Sequence, residues 1–436
     1  MISEKSNTAI PRRRTRRAKI ILLLSSLLLS LAIIEIALRI TGYSYPEFYV
    51  ADAQRGYALR PGLRGWYRKE GEAFVQINSD GLRDREHSKR KPANTIRIAV
   101  LGDSYTEAFQ VNFENSFCAL LERKLHECPA LSGHEVEVIN FGVSGYGTAQ
   151  ELITLRNQVW QYSPDIVLLA FTTNNDISDN VRGLKQTDEI PYFVLRDGKP
   201  LEDDSFLQDK TFRWRNSTLN HFGSWFRDHL RLIQLINQGH HGLKAYLAAR
   251  RTPANQNNSG TAATPAGDTS NRALPAATEL GVDNVIYREP SEPLWNDAWR
   301  LEESLLETMR DEVQSHGARF VVVTLSNGIQ VWPDAAARAV FLKRIDAKDI
   351  FYPDRRIRDF CNQNHIEEIA LAPEMQRYAD ENKVFLHGLG KELGNGHWNS
   401  EGHRLAAELT ARNLCDILIL KHANVIHAAS PGAVTP

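Results

Sequence analysis

One long apolar run stands near the start of the chain. Residues 20–38 are almost entirely Ile, Leu, Ala and Ser, and a dense Arg and Lys block precedes them. About 20 apolar residues cross a bilayer as a helix, and basic residues ahead of such a helix keep the N-terminus in the cytoplasm. We therefore predict a transmembrane signal anchor over 20–38 and a basic cytoplasmic tail over 1–19, which contacts anionic lipids. A cleaved signal peptide is the alternative, because Ser30-Leu31-Ala32 resembles a cleavage site, but the apolar run continues past that site.

Beyond the anchor, short apolar runs alternate with longer segments of helical periodicity. Such alternation is typical of a parallel sheet that helices cover on both faces. We therefore expect a three-layer, doubly wound α/β domain over residues 94–425. The apolar runs predict its strands at about 95–102, 135–141, 165–172, 317–324 and 383–387.

The interval between the third and fourth predicted strands is much longer than one crossover helix requires, so we interpret residues 176–316 as an insertion. Within it, residues 217–250 predict amphipathic helices, which pack on the domain, lie on a membrane surface or cap a substrate cleft. Residues 252–280 are rich in Pro, Ala, Asn, Thr, Ser and Gly, and this composition predicts a disordered loop.

Two flanking segments complete the organisation. Residues 42–93 are irregular, aromatic and glycine-containing, and we expect this juxtamembrane segment to pack on the α/β domain; a plain stalk with a β-hairpin is the alternative. Residues 426–436 predict a flexible tail.

The first predicted strand ends in a motif that can carry chemistry. Gly102-Asp103-Ser104-Tyr105 follows the apolar residues 96–101 and precedes a helical pattern that continues through 113–125. Open α/β sheets bind ligands at the carboxyl ends of their strands. A serine at that edge, at the start of a helix, can present its hydroxyl and its backbone N–H to a reacting group.

Three further motifs follow strands or open a helix in the same way. A glycine-rich turn that contains Gly145 follows the second predicted strand, and Asn174-Asn175-Asp176 follows the third. Near the C-terminus, Gly396-His397 leads into a predicted helix over 404–420. A doubly wound sheet would bring these motifs to one edge.

With these four motifs, roughly residues 94–420 resemble the SGNH (GDSL-type) hydrolase family, in particular its membrane-anchored bacterial members. The resemblance implies Ser104 as the nucleophile and His397 as the general base. It also implies an oxyanion hole formed by the N–H groups of Ser104 and Gly145 and by the side-chain amide of Asn175.

The chemistry requires these residue types. A serine hydroxyl is a weak nucleophile until an imidazole removes its proton, and the same imidazole then protonates the leaving group. A tetrahedral intermediate carries negative charge on the former carbonyl oxygen, so hydrogen-bond donors must already point there, and losing one costs roughly 10²–10³ in rate.

One position departs from the family pattern. Members of the family usually carry an Asp two or three residues before the catalytic His, whereas this chain has Gly394 and Asn395 there. Three possibilities remain open: a Ser-His dyad helped by a backbone carbonyl, a carboxylate from elsewhere such as Glu392 or Glu401, or a weakened enzyme. Asn395 could orient His397 through its side-chain oxygen, but it supplies no charge.

The remaining composition excludes several classes of function. A net charge of −1 gives no large electrostatic field, so a nucleic-acid partner is not expected.

His403 is the alternative to His397 as the general base, but its place at a helix start favours a structural role. The chain has no HxH, HExxH or CxxC spacing, so we expect neither a metal site nor a cofactor. Four cysteines are too few for a disulfide scaffold, although an oxidising compartment would permit a bridge.

The sequence therefore predicts a serine esterase that a single helix anchors in the inner membrane, with its catalytic domain in the periplasm. Its expected substrate is an acyl ester, in particular an O-acetyl ester, on an envelope or exported glycan, or a small ester. An O-acyltransferase of exopolysaccharide is one alternative, because a sugar hydroxyl could capture the same acyl-enzyme. A non-catalytic glycan-binding or assembly protein on the same fold is the other.

Overall fold

The computed structural model describes residues 12–240 and 284–428. The predicted loop over 252–280 lies outside the described residues, as do 1–11 and 429–436 of the two predicted tails. The strands of the described part are β1 (Tyr49–Asp52), β2 (Gly56–Leu59), β3 (Arg64–Tyr67), β4 (Ala73–Gln76), β5 (Thr95–Gly102), β6 (Glu135–Asn140), β7 (Ile166–Phe171), β8 (Tyr192–Arg196), β9 (Lys199–Asp203), β10 (Arg319–Thr324) and β11 (Glu367–Ala370).

Helices separate most of these strands. They are α1 (Arg12–Ile40), α2 (Ser104–Glu107), α3 (Phe117–Leu125), α4 (Thr148–Asn157), α5 (Asn175–Ser178), α6 (Arg182–Lys185), α7 (Lys210–Arg215), α8 (Thr218–His229), α9 (231–240, the described part), α10 (Pro293–Ser315), α11 (Ala335–Arg344), α12 (Tyr352–Gln363), α13 (Ala372–Asn382) and α14 (Ser400–Ala428). Short 3₁₀ turns lie at Phe113–Asn115, Pro129–Leu131, Val159–Tyr162, Ser205–Gln208 and Asn284–Tyr287.

The central sheet has five strands in the order β11-β10-β7-β5-β6, and every neighbouring pair is parallel. The chain moves outward from β5 to β6 and then returns to the other side of β5 to form β7. This reversal makes the carboxyl ends of β5 and β7 the switch point at which doubly wound sheets bind ligands. The predicted three-layer, doubly wound fold is confirmed, and the strand order is flavodoxin-like.

Alternate residues of each central strand pack under different helices, because successive side chains point to opposite faces of a sheet. Ala99 and Leu101 of β5 join the core beneath α4, α10 and α12. Ile98 and Val100 join the core beneath α3, α13 and α14. Trp295 and Trp299, both buried, place α10 in the first of these cores. The predicted insertion therefore ends in a helix that covers the sheet.

Two expectations about local structure were wrong. Residues 383–387 form no strand; only an isolated bridge joins His387 to Trp398, and the fifth strand is β11. This strand lies at the sheet edge with Ile369 as its one buried residue, so its sequence lacks the apolar run that marks a central strand. The helical pattern after Ser104 is also broken, because Ala108 ends α2 in the left-handed conformation and α3 begins at Phe117.

Residues 48–93 pack on the sheet domain through two antiparallel hairpins, β1–β2 and β3–β4. Apolar residues of this segment form a small core with side chains from the loops that follow β5 and β6. Its buried members are Phe48, Leu59, Val75, Ile77, Phe109, Val143 and Tyr146. The segment after the predicted anchor thus lies against the loops that carry two of the four sequence motifs.

A separate compact unit contains α1, α8 and α9. Residues Arg16–Ile40 of α1 reach a mean hydropathy of 2.6 and leave their apolar side chains exposed. This helix fits a signal anchor or a single membrane pass.

A disulfide bond between Cys128 and Cys415 fastens the segment after α3 to α14, whereas Cys118 and Cys361 are buried free thiols. The bond spans 287 residues and therefore restricts much of the unfolded chain.

We expect the double variant Cys128→Ala/Cys415→Ala to lose about 2–5 kcal/mol of unfolding free energy, because the unfolded chain regains its freedom. Urea unfolding of the wild type, this variant and the control Cys118→Ala measures the loss. Reductant should lower the stability of the wild type and leave the double variant unchanged. A wild-type protein insensitive to reductant would contradict the bond.

Candidate active site

Ser104 lies at the carboxyl end of β5, at the switch point of the sheet. Gly102 pairs with Ala170 of β7, and Ser104 begins the short helix α2. The carboxylate of Asp103 caps this helix by accepting the backbone N–H of Tyr105 at 2.9 Å. Ser104 is only 5% exposed.

The structure brings Ser104 and His397 together across 293 residues of sequence. His397 Nε2 lies 2.7 Å from Ser104 Oγ. His397 stands shortly before α14 and directly before Trp398, which forms an isolated bridge with His387. These are the two side chains to which the motifs assigned the roles of base and nucleophile.

The other nitrogen of His397 meets a carboxylate that the motifs did not indicate. His397 Nδ1 lies 2.5 Å from Glu70 Oε2, and the backbone N–H of His397 donates to Glu70 Oε1 at 2.9 Å. A carboxylate at this distance accepts a hydrogen bond from Nδ1–H, so in the neutral ring the proton stays on Nδ1 and Nε2 is free to accept the proton of Ser104. Ser104, His397 and Glu70 thus form a continuous hydrogen-bonded series.

The expected orienting groups do not make this contact. The backbone N–H of Asn395 donates to the Glu392 carbonyl, and the Glu401 carboxylate accepts from Arg404 and Tyr378. Glu70, in the turn between β3 and β4, makes the contact with His397 Nδ1 that was considered for Asn395, Glu392 and Glu401. It comes from the segment before the sheet domain, 327 residues away from His397.

Gly396 makes room for the Glu70 carboxylate. Its φ is +76°, and a Cβ added there would lie 2.5 Å from Glu70 Oε1. Any other residue at this position would therefore combine a strained backbone with a clash against Glu70.

The charges of Glu70 and His397 stabilise one another. Burial alone would lower the pKa of His397, but the hydrogen bond and charge of Glu70, with the nearby charges of Asp103 and Glu107, outweigh burial and leave the pKa of His397 above its ordinary value. Burial alone would raise the pKa of Glu70, but its hydrogen bonds with His397 leave that pKa below the ordinary value. The site is therefore built to support a positive charge on His397 when it takes a proton.

A second histidine holds the backbone beside His397. His387 Nδ1 donates to the Gly396 carbonyl at 2.8 Å, and His387 Nε2 accepts from Ser326 Oγ at 3.0 Å. Ser326 Oγ in turn accepts from the Trp398 indole at 2.9 Å. Each hydrogen bond of this series has a donor and an acceptor when His387 is neutral with its proton on Nδ1. This agrees with the effect of burial, which lowers the pKa of His387 to about 4.

The loop after β6 presents Gly145, whose φ of +79° favours glycine. Tyr57 Oη donates to the Ser144 carbonyl at 2.8 Å, and Lys185 Nζ donates to the Gly145 carbonyl at 3.1 Å. The two contacts hold the peptides on either side of Gly145. Because a trans peptide points its N–H and C=O in opposite directions, the N–H of Gly145 points away from Tyr57.

Glu107 braces the same loop from inside the protein. Its carboxylate accepts the backbone N–H of Ser144 at 3.1 Å and the hydroxyl of Tyr49 at 2.9 Å. Burial raises the pKa of Glu107 to about 7. This buried side chain therefore joins α2, the loop of Gly145 and the first hairpin.

Asn175 begins α5, directly after the loop that follows β7. Its Nδ2 donates to Asp103 Oδ2 at 2.9 Å, so the amide is held beside the residue that precedes the nucleophile. Burial raises the pKa of Asp103, and the Asn175 hydrogen bond opposes that shift.

His403 lies away from this series. It is fully buried beside the Trp398 ring, and burial lowers its pKa to about 3. Within the described ranges, no group of three His, Cys, Asp or Glu side chains is placed to hold a metal ion.

We expect Glu70→Gln to lower the pKa of His397, because the substitution removes the negative charge that raises this pKa while burial continues to depress it. Carbon-13 NMR of histidine-labelled protein measures the titration, with His397→Ala identifying the signal. Glu72→Gln is the matched control, since Glu72 lies in the same turn but pairs with Arg68. Equal His397 titrations in the two Gln variants would show that Glu70 does not act on His397.

Comparison with known proteins agrees with the motifs. Residues 98–195 match the model of the GDSL-like lipase/acylhydrolase family. An arylesterase from Vibrio mimicus is 36% identical over 87 residues, which are 20% of this chain and 40% of that protein. This chain therefore matches about two fifths of the length of that relative.

Solved structures give a weaker likeness. An acetyl xylan esterase superposes with a TM-score of 0.34 and 12% identity, over 73% of this chain and 100% of the other. A putative GDSL-family lipolytic protein from Desulfitobacterium hafniense gives a TM-score of 0.31 and 12% identity, over 72% and 98%. These scores carry no argument about substrate. The family model thus supports the resemblance over residues 98–195, a range that holds the motifs of Ser104, Gly145 and Asn175, and there the chain is similar to GDSL-like lipases/acylhydrolases; the motif of His397 lies outside the matched residues.

Proposed function

We propose that this protein is a serine ester hydrolase in which Ser104, His397 and Glu70 act in series. The observation that carries the proposal is the pair of contacts made by His397, 2.7 Å from Nε2 to Ser104 Oγ and 2.5 Å from Nδ1 to Glu70 Oε2. A nucleophile, a base and a group that orients the base are the elements of acyl transfer.

In the first half of the reaction, Ser104 Oγ attacks the carbonyl carbon of the ester while its proton passes to His397 Nε2. The carbonyl oxygen becomes an oxyanion, which we assign to the backbone N–H groups of Ser104 and Gly145 and the side-chain amide of Asn175. The C–O bond then breaks, and His397 gives its proton to the departing alcohol.

In the second half, His397 Nε2 removes a proton from water, whose oxygen attacks the acyl-Ser104 carbonyl. The tetrahedral intermediate collapses, the acid leaves and Ser104 Oγ recovers its proton from His397. In both halves Glu70 stays ionised: its carboxylate accepts a hydrogen bond from Nδ1–H, which remains on the ring, and stabilises the positive imidazolium.

We further propose that the enzyme acts outside the cytoplasm, anchored by α1. The basic residues before this helix favour an inner-membrane protein with its sheet domain in the periplasm. The disulfide between Cys128 and Cys415 supports an oxidising compartment.

The proposed substrate is a short acyl ester, in particular an O-acetyl ester on an envelope or exported glycan. The small exposure of Ser104, 5%, favours a small acyl group. An enzyme held at the outer face of the membrane meets glycans on their way to the cell surface. The same acyl-enzyme could pass its acyl group to a sugar hydroxyl, and the assay below separates this outcome from hydrolysis.

We expect Ser104→Ala to lower the hydrolysis of p-nitrophenyl acetate at least about 10³-fold, because the covalent route is lost. The full-length protein in detergent is assayed beside the control Ser79→Ala, a surface serine that contacts Glu86.

Unchanged turnover in Ser104→Ala would contradict the proposed nucleophile. If Ser104-dependent release of p-nitrophenol is slow in water and rises when an oligosaccharide is added, with acetylated sugar as product, the protein is a transferase. If neither reaction depends on Ser104, a non-catalytic role is favoured.

A further inference from the structure

The helix α8 carries an exposed apolar face. Leu219, Phe222 and Trp225 are 72%, 67% and 53% exposed. At 3.6 residues per turn these positions share one side of the helix, and Ser224 lies on the opposite side. Three large apolar side chains on one unburied face mark a surface that contacts something other than water.

Two side chains near the end of α1 form hydrogen bonds with α8 and with α9, the helix that follows it. Glu35 accepts the backbone N–H groups of Arg231 and Leu232 at 3.0 and 2.9 Å, at the start of α9. Arg39 Nη2 donates to the carbonyl of His229, the last residue of α8, at 2.7 Å. The junction between α8 and α9 is therefore fixed to the last turns of the anchor helix.

These contacts set the depth of α8 relative to the membrane. Ile40, the end of α1, comes five positions after Glu35, a distance of about 7.5 Å along a helix. If α1 spans the bilayer, this part of the helix lies at the boundary between hydrocarbon and headgroups. Tryptophan and other amphipathic groups concentrate at that level.

The same contacts explain an acidic residue in an apolar helix. A carboxylate near the hydrocarbon is costly unless it is paired. Glu35 forms an ion pair with Arg39 at 2.8 Å and accepts two N–H groups at the N-terminus of α9. Its charge is thus satisfied by the helix that follows α8.

We propose that α8 is a second membrane contact, which lies in the bilayer interface beside the anchor and inserts Leu219, Phe222 and Trp225 among the lipids. The proposal rests on membrane insertion of α1 and is independent of the esterase chemistry. It selects one of the three roles considered for residues 217–250.

The test places a nitroxide label on each side of α8. Full-length Phe222→Cys and Ser224→Cys are reconstituted in vesicles that contain anionic phospholipid, with the unsubstituted protein as the background for its own buried thiols. We expect collisions with oxygen, relative to a water-soluble nickel chelate, to be severalfold more frequent for the label at 222 than for the label at 224.

Equal access of the nickel chelate to both labels would overturn the proposal, because the face would then lie in water. Shielding of the label at 222 from both reagents would also overturn it, because the face would then pack on protein. Alkaline extraction of the same vesicles reports insertion of α1, and hydrolysis of p-nitrophenyl acetate reports the esterase. These two measurements distinguish a lack of α1 insertion, or a lack of esterase activity, from a failure of α8 to bind lipid.

Discussion

The hydrogen bond between Glu70 and His397 is the interaction on which the candidate site depends. It fixes the imidazole so that Nε2 faces Ser104, and it raises the pKa of His397 against the effect of burial. The carboxylate comes from the turn between β3 and β4, whose hairpin packs on the loops that follow β5 and β6. The segment between α1 and the sheet domain is therefore part of the site.

Much of the fold was predictable because central parallel strands are buried on both faces. The sequences of β5 and β7 are apolar runs, and their expected bounds agree with the structure to within one residue. The strands at the two edges differ: β6 buries four of its six residues and was found, whereas β11 buries only Ile369 and was missed. The motifs also indicated the two residues, Ser104 and His397, that the structure places in contact.

The source of the carboxylate was not predictable. Glu70 stands in the stretch Arg68-Lys69-Glu70-Gly71-Glu72, which has the composition of a solvated turn, and its contact with His397 spans 327 residues. Local patterns report periodicity and capping, whereas this contact results from tertiary packing. One signal was available, namely Gly396, whose missing side chain leaves space next to His397. The roles of Glu107 and His387 were also missed, because a buried side chain that supports a loop through hydrogen bonds has no sequence pattern of its own.

The most direct test of the account is a double-mutant cycle on the covalent reaction of Ser104 with a fluorophosphonate. If Glu70 acts through His397, Glu70→Gln slows labelling by about 10²–10⁴-fold in the wild-type background and has almost no effect in His397→Ala, because the two residues work as a unit. Glu72→Gln should change neither rate. An equal loss in both backgrounds, or no loss from Glu70→Gln, would contradict the series Ser104, His397 and Glu70.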